Sequence, residues 1–128
     1  MTMNDREQAG RTGVLRRMET AMNGHDLDAL ADCFTDDFHS DLPIHPRRSF
    51  TGREQMRNNW AFLFAHVPDL AAEVLQSVTG GDQVWSEWEI HGTTVDGTRY
   101  LSRGVAIMWL HEERVASVRF YLDDVDPD

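Results

Sequence analysis

Apolar residues recur with a helical period along the first third of the chain. Val14, Leu15, Met18, Ala21 and Met22 share one face of a helix predicted over 14–23, with Arg16, Arg17 and Glu19 on the other. Asn23 and Gly24 supply its C-terminal stop. Asp26 is placed to N-cap a second short helix, whose stripe is Leu27, Leu30, Ala31 and Phe34 and whose end is Thr35-Asp36-Asp37. A short extended piece follows over 38–42, halted by Pro43 and Pro46. Thr51 and Glu54 have the S/T-x-x-E spacing of a capping box opening a third helix. Met56, Trp60, Leu63 and Val67 mark its buried face, and Pro68 closes it.

The period then shortens towards two. Strands are predicted over 70–78, 83–95, 99–111 and 114–123. They are separated by Thr79-Gly80-Gly81-Asp82, by Asp96-Gly97 (a type I′ signal) and by Glu112-Glu113. Helices followed by a run of strands indicate an α+β fold. The expected form is a cone-shaped curved antiparallel sheet, a four-strand meander plus a short strand, wrapped around three N-terminal helices. The domain is expected over 14–123, between a flexible polar leader at 1–13 and an acidic tail at 124–128. A sheet so curved leaves a concave cavity at one end, where small ligands bind.

Composition narrows the classes. The net charge is −10, and four of the last six residues are aspartates. That surface repels phosphate backbones, so neither nucleic acid nor an anionic membrane is expected as a partner. The chain has twelve arginines and no lysine, which excludes a Schiff-base lysine and a P-loop lysine. Cys33 is the single cysteine, expected as a small buried hydrophobe in a reducing, cytoplasmic setting. The polar start of the chain has no apolar core of a secretory signal, and no run approaches the length of a membrane span. No metal and no cofactor are expected.

The stretch Asn23-Gly24-His25-Asp26-Leu27-Asp28-Ala29-Leu30, followed by Cys33-Phe34-Thr35-Asp36-Asp37, resembles the signature of the SnoaL-like, nuclear-transport-factor-two-like families. Gly52-Arg53-Glu54, Trp88-Glu89-Ile90-His91-Gly92-Thr93, Arg103-Gly104-Val105-Ala106-Ile107 and Tyr121-Leu122-Asp123 extend the resemblance over roughly 14–123. It implies the cone-shaped fold with one ligand pocket, a fold that hosts ketosteroid isomerases, epoxide hydrolases, polyketide cyclases, dehydratases and non-catalytic binders. Of the ketosteroid isomerase set, Asp41 lies one residue from the base position, while the tyrosine and oxyanion-aspartate positions hold Met18 and Ala106. The epoxide hydrolase set falls on Trp88, Ile90 and Phe120, and the cyclase acid/base pair near Ala106 and Phe120. The resemblance thus implies a pocket without any of these three complete mechanisms.

Alternation places Ser86, Trp88, Ile90, Tyr100, Ser102, Gly104, Ala106, Met108, Val118, Phe120 and Leu122 on the cavity side. The expected substrate-binding residues are Met18, Trp60, Ser86, Trp88, Tyr100, Ser102, Ala106, Met108 and Phe120, a lining suited to a hydrophobic ligand. Asp41 is the expected catalytic acid or base: walled by Trp60, Met18 and Phe120, its carboxyl would be raised by desolvation to work near neutral pH. His39 or His45 would assist, and Tyr100 or Ser102 would hydrogen-bond the substrate oxygen. The cluster His39, Asp41 and His45 also has the composition of a two-histidine, one-carboxylate metal site, although Pro43 interrupts it. Arg47 and Arg48 could meet an anionic ligand at the pocket mouth. Glu87 and Glu89 are expected outward, paired with Arg99 and Arg103. With Trp85, Val105, Ile107 and Trp109 they form a face apolar enough to seat a second copy as a homodimer. The expected function is a cofactor-independent isomerase, cyclase or dehydratase acting on a hydrophobic small molecule, or else a non-catalytic binding or dimerisation module.

Overall fold

The computed structural model of the protein describes residues 5–126, and the side chains of residues 13–126. The order is α1 (Asp5–Asn23), α2 (Leu27–Ala31), β1 (Phe34–Asp41), a 3-10 turn (Pro46–Arg48), β2 (Phe50–Thr51), α3 (Arg53–His66), then β3 (Ala71–Gly80), β4 (Gln83–Thr93), β5 (Arg99–His111) and β6 (Arg114–Asp124). The strands form one six-stranded sheet in the order β2-β1-β6-β5-β4-β3. The meander β3 to β6 is antiparallel, as expected, but β1 joins β6 in parallel, so the sheet is mixed. β2, a two-residue strand opposite His39 and Ser40, was not expected.

Several boundaries differ from the expected ones, each for a local reason. Helix α1 begins at Asp5, so much of the expected leader is helical; Met1–Asn4 and Pro127–Asp128 lie outside the described residues. Phe34 leaves α2 and starts β1, where it is buried opposite Val115. The capping box is not formed: Gly52 is the N-cap of α3 and offers no side-chain bond, because Thr51 lies in β2 and hydrogen-bonds His39 at 2.9 Å instead. The Asp26 cap is formed, its carboxylate accepting from the Ala29 N–H at 3.0 Å. Gly97 alone takes a positive φ, +87°, in a loop closed between Thr94 and Thr98, so Asp96-Gly97 is not a type I′ pair. Glu112 and Glu113, with φ of +51° and +66°, supply two left-handed residues between the paired His111 and Arg114.

The helices lie over the inner face of the sheet. Val14, Leu15, Met18, Ala21 and Met22 of α1 and Met56 and Phe64 of α3 are buried against Trp88, Ile90, Ala106, Met108 and Val118. Helix α1 also finishes the sheet. Its side chains answer the open backbone groups of the edge strand: Glu19 accepts from the Val74 N–H at 2.7 Å, and Asn23 bonds both the N–H and the C=O of Ala72. His25, left-handed at the end of the helix, donates to the Leu70 carbonyl at 2.9 Å. An edge so covered cannot pair with another strand there.

Strands β5 and β6 approach closely at Gly104, which pairs with Leu122. Gly104 has φ +152°, and a Cβ at that position would stand 2.0 Å from the Tyr121 carbonyl oxygen. Only glycine fits so close a backbone approach. Residues on either side of this approach, Ser102 of β5 and Phe120 and Leu122 of β6, line a space between the sheet and the helices.

Candidate functional site

That space is a cavity of about 650 Å³. Its floor comes from the sheet: Ser40 of β1, Phe120 and Leu122 of β6, Tyr100 and Ser102 of β5, and Ile90 of β4. Helix α1 contributes Met18 and Met22, and α3 contributes Met56, Asn59, Trp60 and Leu63. The segment between β1 and α3 closes the mouth with Leu42, Arg47, Arg48, Ser49 and Phe50. A concave, mostly apolar chamber with a few convergent polar groups is the usual form of a small-molecule site.

Four hydroxyl side chains belong to this lining, those of Ser40, Ser49, Tyr100 and Ser102. Ser102 Oγ donates to the Asp123 carbonyl at 3.1 Å, fixing its orientation. Burial pushes the Tyr100 phenol above its ordinary 10.0, with the Asp124 carboxylate adding to the shift, so it stays protonated and able to donate. Ser40 is fully buried, and its hydroxyl has no hydrogen-bond partner. Buried hydroxyls without partners are uncommon and costly.

Among the described residues, the cavity walls include no carboxylate and no histidine. Asp41 is not at the base of the chamber. Strand pairing sets Ser40 opposite Val118 and Asp41 opposite Arg119, so consecutive residues of β1 take opposite faces and Ser40 takes the inner one. Asp41 accepts from Ser49 Oγ at 3.3 Å and lies 3.6 Å from the Arg119 guanidinium. The expected walling of Asp41 by Met18, Trp60 and Phe120 is therefore not what the fold produces. His39 is exposed and bonded to Thr51. His45 Nε2 donates to the Asp123 carboxylate at 2.8 Å, holding that carboxyl below its ordinary 3.8. His39, Asp41 and His45 thus each engage a different partner, and among the described residues no group of three or more ligating side chains is placed to hold a metal ion.

The expected substrate-binding residues divide in two. Met18, Trp60, Tyr100, Ser102 and Phe120 line the cavity. Ser86, Trp88, Ala106 and Met108 point inward as expected but are packed into the core beside it. There Trp88 Nε1 donates to Ser86 Oγ at 2.9 Å, and Ser86 Oγ donates to the Ala106 carbonyl at 3.0 Å. These bonds satisfy every polar side-chain atom of the pair without a ligand. Ser40, Met56, Asn59 and Phe50 were not expected in the lining. The alternation of Phe38 and Ser40 was the available signal: Phe38 is apolar and inward, so a residue two further along shares its face. On the outer face Arg103 pairs with Glu89 at 2.8 Å, as expected, whereas Glu87 accepts from Gln76 at 2.9 Å.

Comparison with known proteins agrees with this architecture. The sequence model of the SnoaL-like domain family matches residues 15–118. No curated protein matches the chain by sequence. Among solved structures, IdmH from Streptomyces antibioticus, a candidate polyketide cyclase, is 20% identical with a TM-score of 0.75, over 88% of this chain and 91% of that one. A candidate SnoaL-like polyketide cyclase from Jannaschia is 21% identical with a TM-score of 0.75, over 90% and 86%. A protein with a ketosteroid isomerase-like fold from Catenulispora acidiphila is 20% identical with a TM-score of 0.73, over 84% of each chain. At these identities the likeness is one of fold.

Proposed function

Because the chain belongs to the SnoaL-like domain family, whose fold hosts both enzymes and binders, we propose that it binds a hydrophobic small molecule in the cavity between α1, α3 and the concave sheet. The observation that carries this reading is the lining itself: an apolar chamber of about 650 Å³ with the Tyr100 phenol in its wall. The volume falls within the range of pockets that bury most of a small ligand's surface. The absence of carboxylate and imidazole from the described walls supports binding over an aspartate-run acid–base reaction. A catalytic reading finds support only in Tyr100, a protonated phenol able to polarise a carbonyl.

N-phenyl-1-naphthylamine, an apolar fluorophore that brightens on leaving water, tests the proposal. One molecule is expected to bind per chain, and Leu63→Trp, which fills the cavity from α3, is expected to weaken binding at least about tenfold. Undiminished binding by a folded Leu63→Trp variant would place the dye elsewhere and overturn the reading.

We also propose that the outer face of the sheet seats a second copy of the chain. Trp85 is 47% exposed there and Val78 69%, side by side across β3 and β4, with Tyr121 exposed two strands away. Exposed apolar groups gathered on one face, with charged pairs among them, favour an interface.

A further inference from the structure

We infer that the ligand of this cavity is an anion: an apolar body that enters the chamber and a carboxylate or sulfonate that stays at the mouth between Arg47 and Arg48. The inference rests on the cavity being the ligand seat and adds its charge.

Two observations carry it. First, the charge at the site is opposite to that of the molecule. The chain bears −10, yet the only charged side chains among the described cavity walls are Arg47 and Arg48. Neither forms an ion pair with a carboxylate among the described residues; Asp123 is bonded to His45, and Arg48 attracts its carboxylate only through space. Guanidinium groups present planar, paired donors that fit a carboxylate or sulfonate.

Second, the segment that carries these arginines is tied down. His45 bonds Asp123 at the end of β6 at 2.8 Å, the Arg48 N–H returns to the His45 carbonyl at 2.8 Å, and Ser49 Oγ accepts from the Leu42 N–H at 3.0 Å. The backbone that carries the two arginines is therefore in place at the mouth before any ligand arrives, so only the exposed side chains have to be ordered on binding.

A matched pair of probes tests the charge apart from the pocket. 8-Anilinonaphthalene-1-sulfonate and N-phenyl-1-naphthylamine share one aromatic body and differ by the sulfonate. The sulfonate is expected to raise affinity about tenfold, although the net charge of the protein opposes it at long range. Arg47→Gln/Arg48→Gln is expected to bring the ratio of the two affinities to about one or below. Added salt is expected to weaken sulfonate binding to the unaltered protein, the sign of local attraction; repulsion by the net charge would give the reverse. A sulfonate that binds no better than the neutral dye, a ratio unchanged by the double substitution, or binding strengthened by salt would overturn the anion assignment and leave the pocket standing. Failure of both dyes to bind would remove the pocket itself.

Discussion

Ser40 and Asp41 are adjacent in the chain, and the pleat sends them to opposite sides of the sheet. Asp41 stands out in the sequence because a carboxylate lies near the position of a known base, whereas a serine beside it carries no such signal. Its place differs from the expected one because it lies one residue from that base position, and one residue along a strand reverses the face. The strand starts at Phe34, and an irregularity between Phe34 and His39 shifts the pairing with β6. The consequence is testable with two substitutions. Ser40→Ala removes an unpartnered buried hydroxyl, so the unliganded protein is expected to melt at the same temperature or higher, by up to about 1 kcal/mol. Asp41→Asn weakens contacts with Ser49 and Arg119 that are partly exposed, so a loss of about 0.5–1 kcal/mol is expected, with dye binding retained. Thermal melts and dye titrations of both variants check this. Loss of dye binding in Asp41→Asn alone would restore the aspartate to the site.

Turns and edges were less legible than helices and strands. The repeats of Val14, Leu15, Met18, Ala21 and Met22, and of Ser86, Trp88 and Ile90, foretold the buried faces, because burial of one face imposes its period on the sequence. The β5–β6 turn gave no such signal. Glutamate is a poor candidate for left-handed backbone, yet Glu112 and Glu113 both adopt it, since two-residue hairpins with the twist of the sheet require it. The double substitution Glu112→Asn/Glu113→Gly is expected to stabilise the protein by roughly 1 kcal/mol, read from denaturant midpoints; a lower midpoint would mean that the glutamates are not strained. Strand β2 was illegible for a different reason. Two residues carry no period, and Phe50 and Thr51 pair with β1 only once β1 is in place. The cavity mouth depends on that same segment, which is why Phe50 and Ser49 were absent from the expected lining.

At the scale of the whole molecule, the family resemblance and the alternation agreed on the fold, but neither could say where the helices would leave space. That is set by which side chains of α1 and α3 fill the concavity. Two global properties follow. Burial pushes the Cys33 thiol above its ordinary 9.0 and the Tyr100 phenol above 10.0. The unfolded chain therefore releases these protons first, and stability, full below pH 9, is expected to fall as the pH rises beyond it. Melting temperatures measured from about pH 8 to 11 check the sign; a flat profile would contradict the burial of both groups. If the outer face seats a second copy, Trp85→Glu is expected to convert a dimer to a monomer in light scattering, while a monomeric parent protein would dismiss the interface. The central claim, that the chamber under the concave sheet is the ligand seat, is tested most directly by ¹H–¹⁵N correlation spectra recorded during titration with N-phenyl-1-naphthylamine. Shifts are expected to gather at Ser40, Trp60, Tyr100, Ser102 and Phe120; shifts confined to Val78, Trp85 and Tyr121 on the outer face would contradict it.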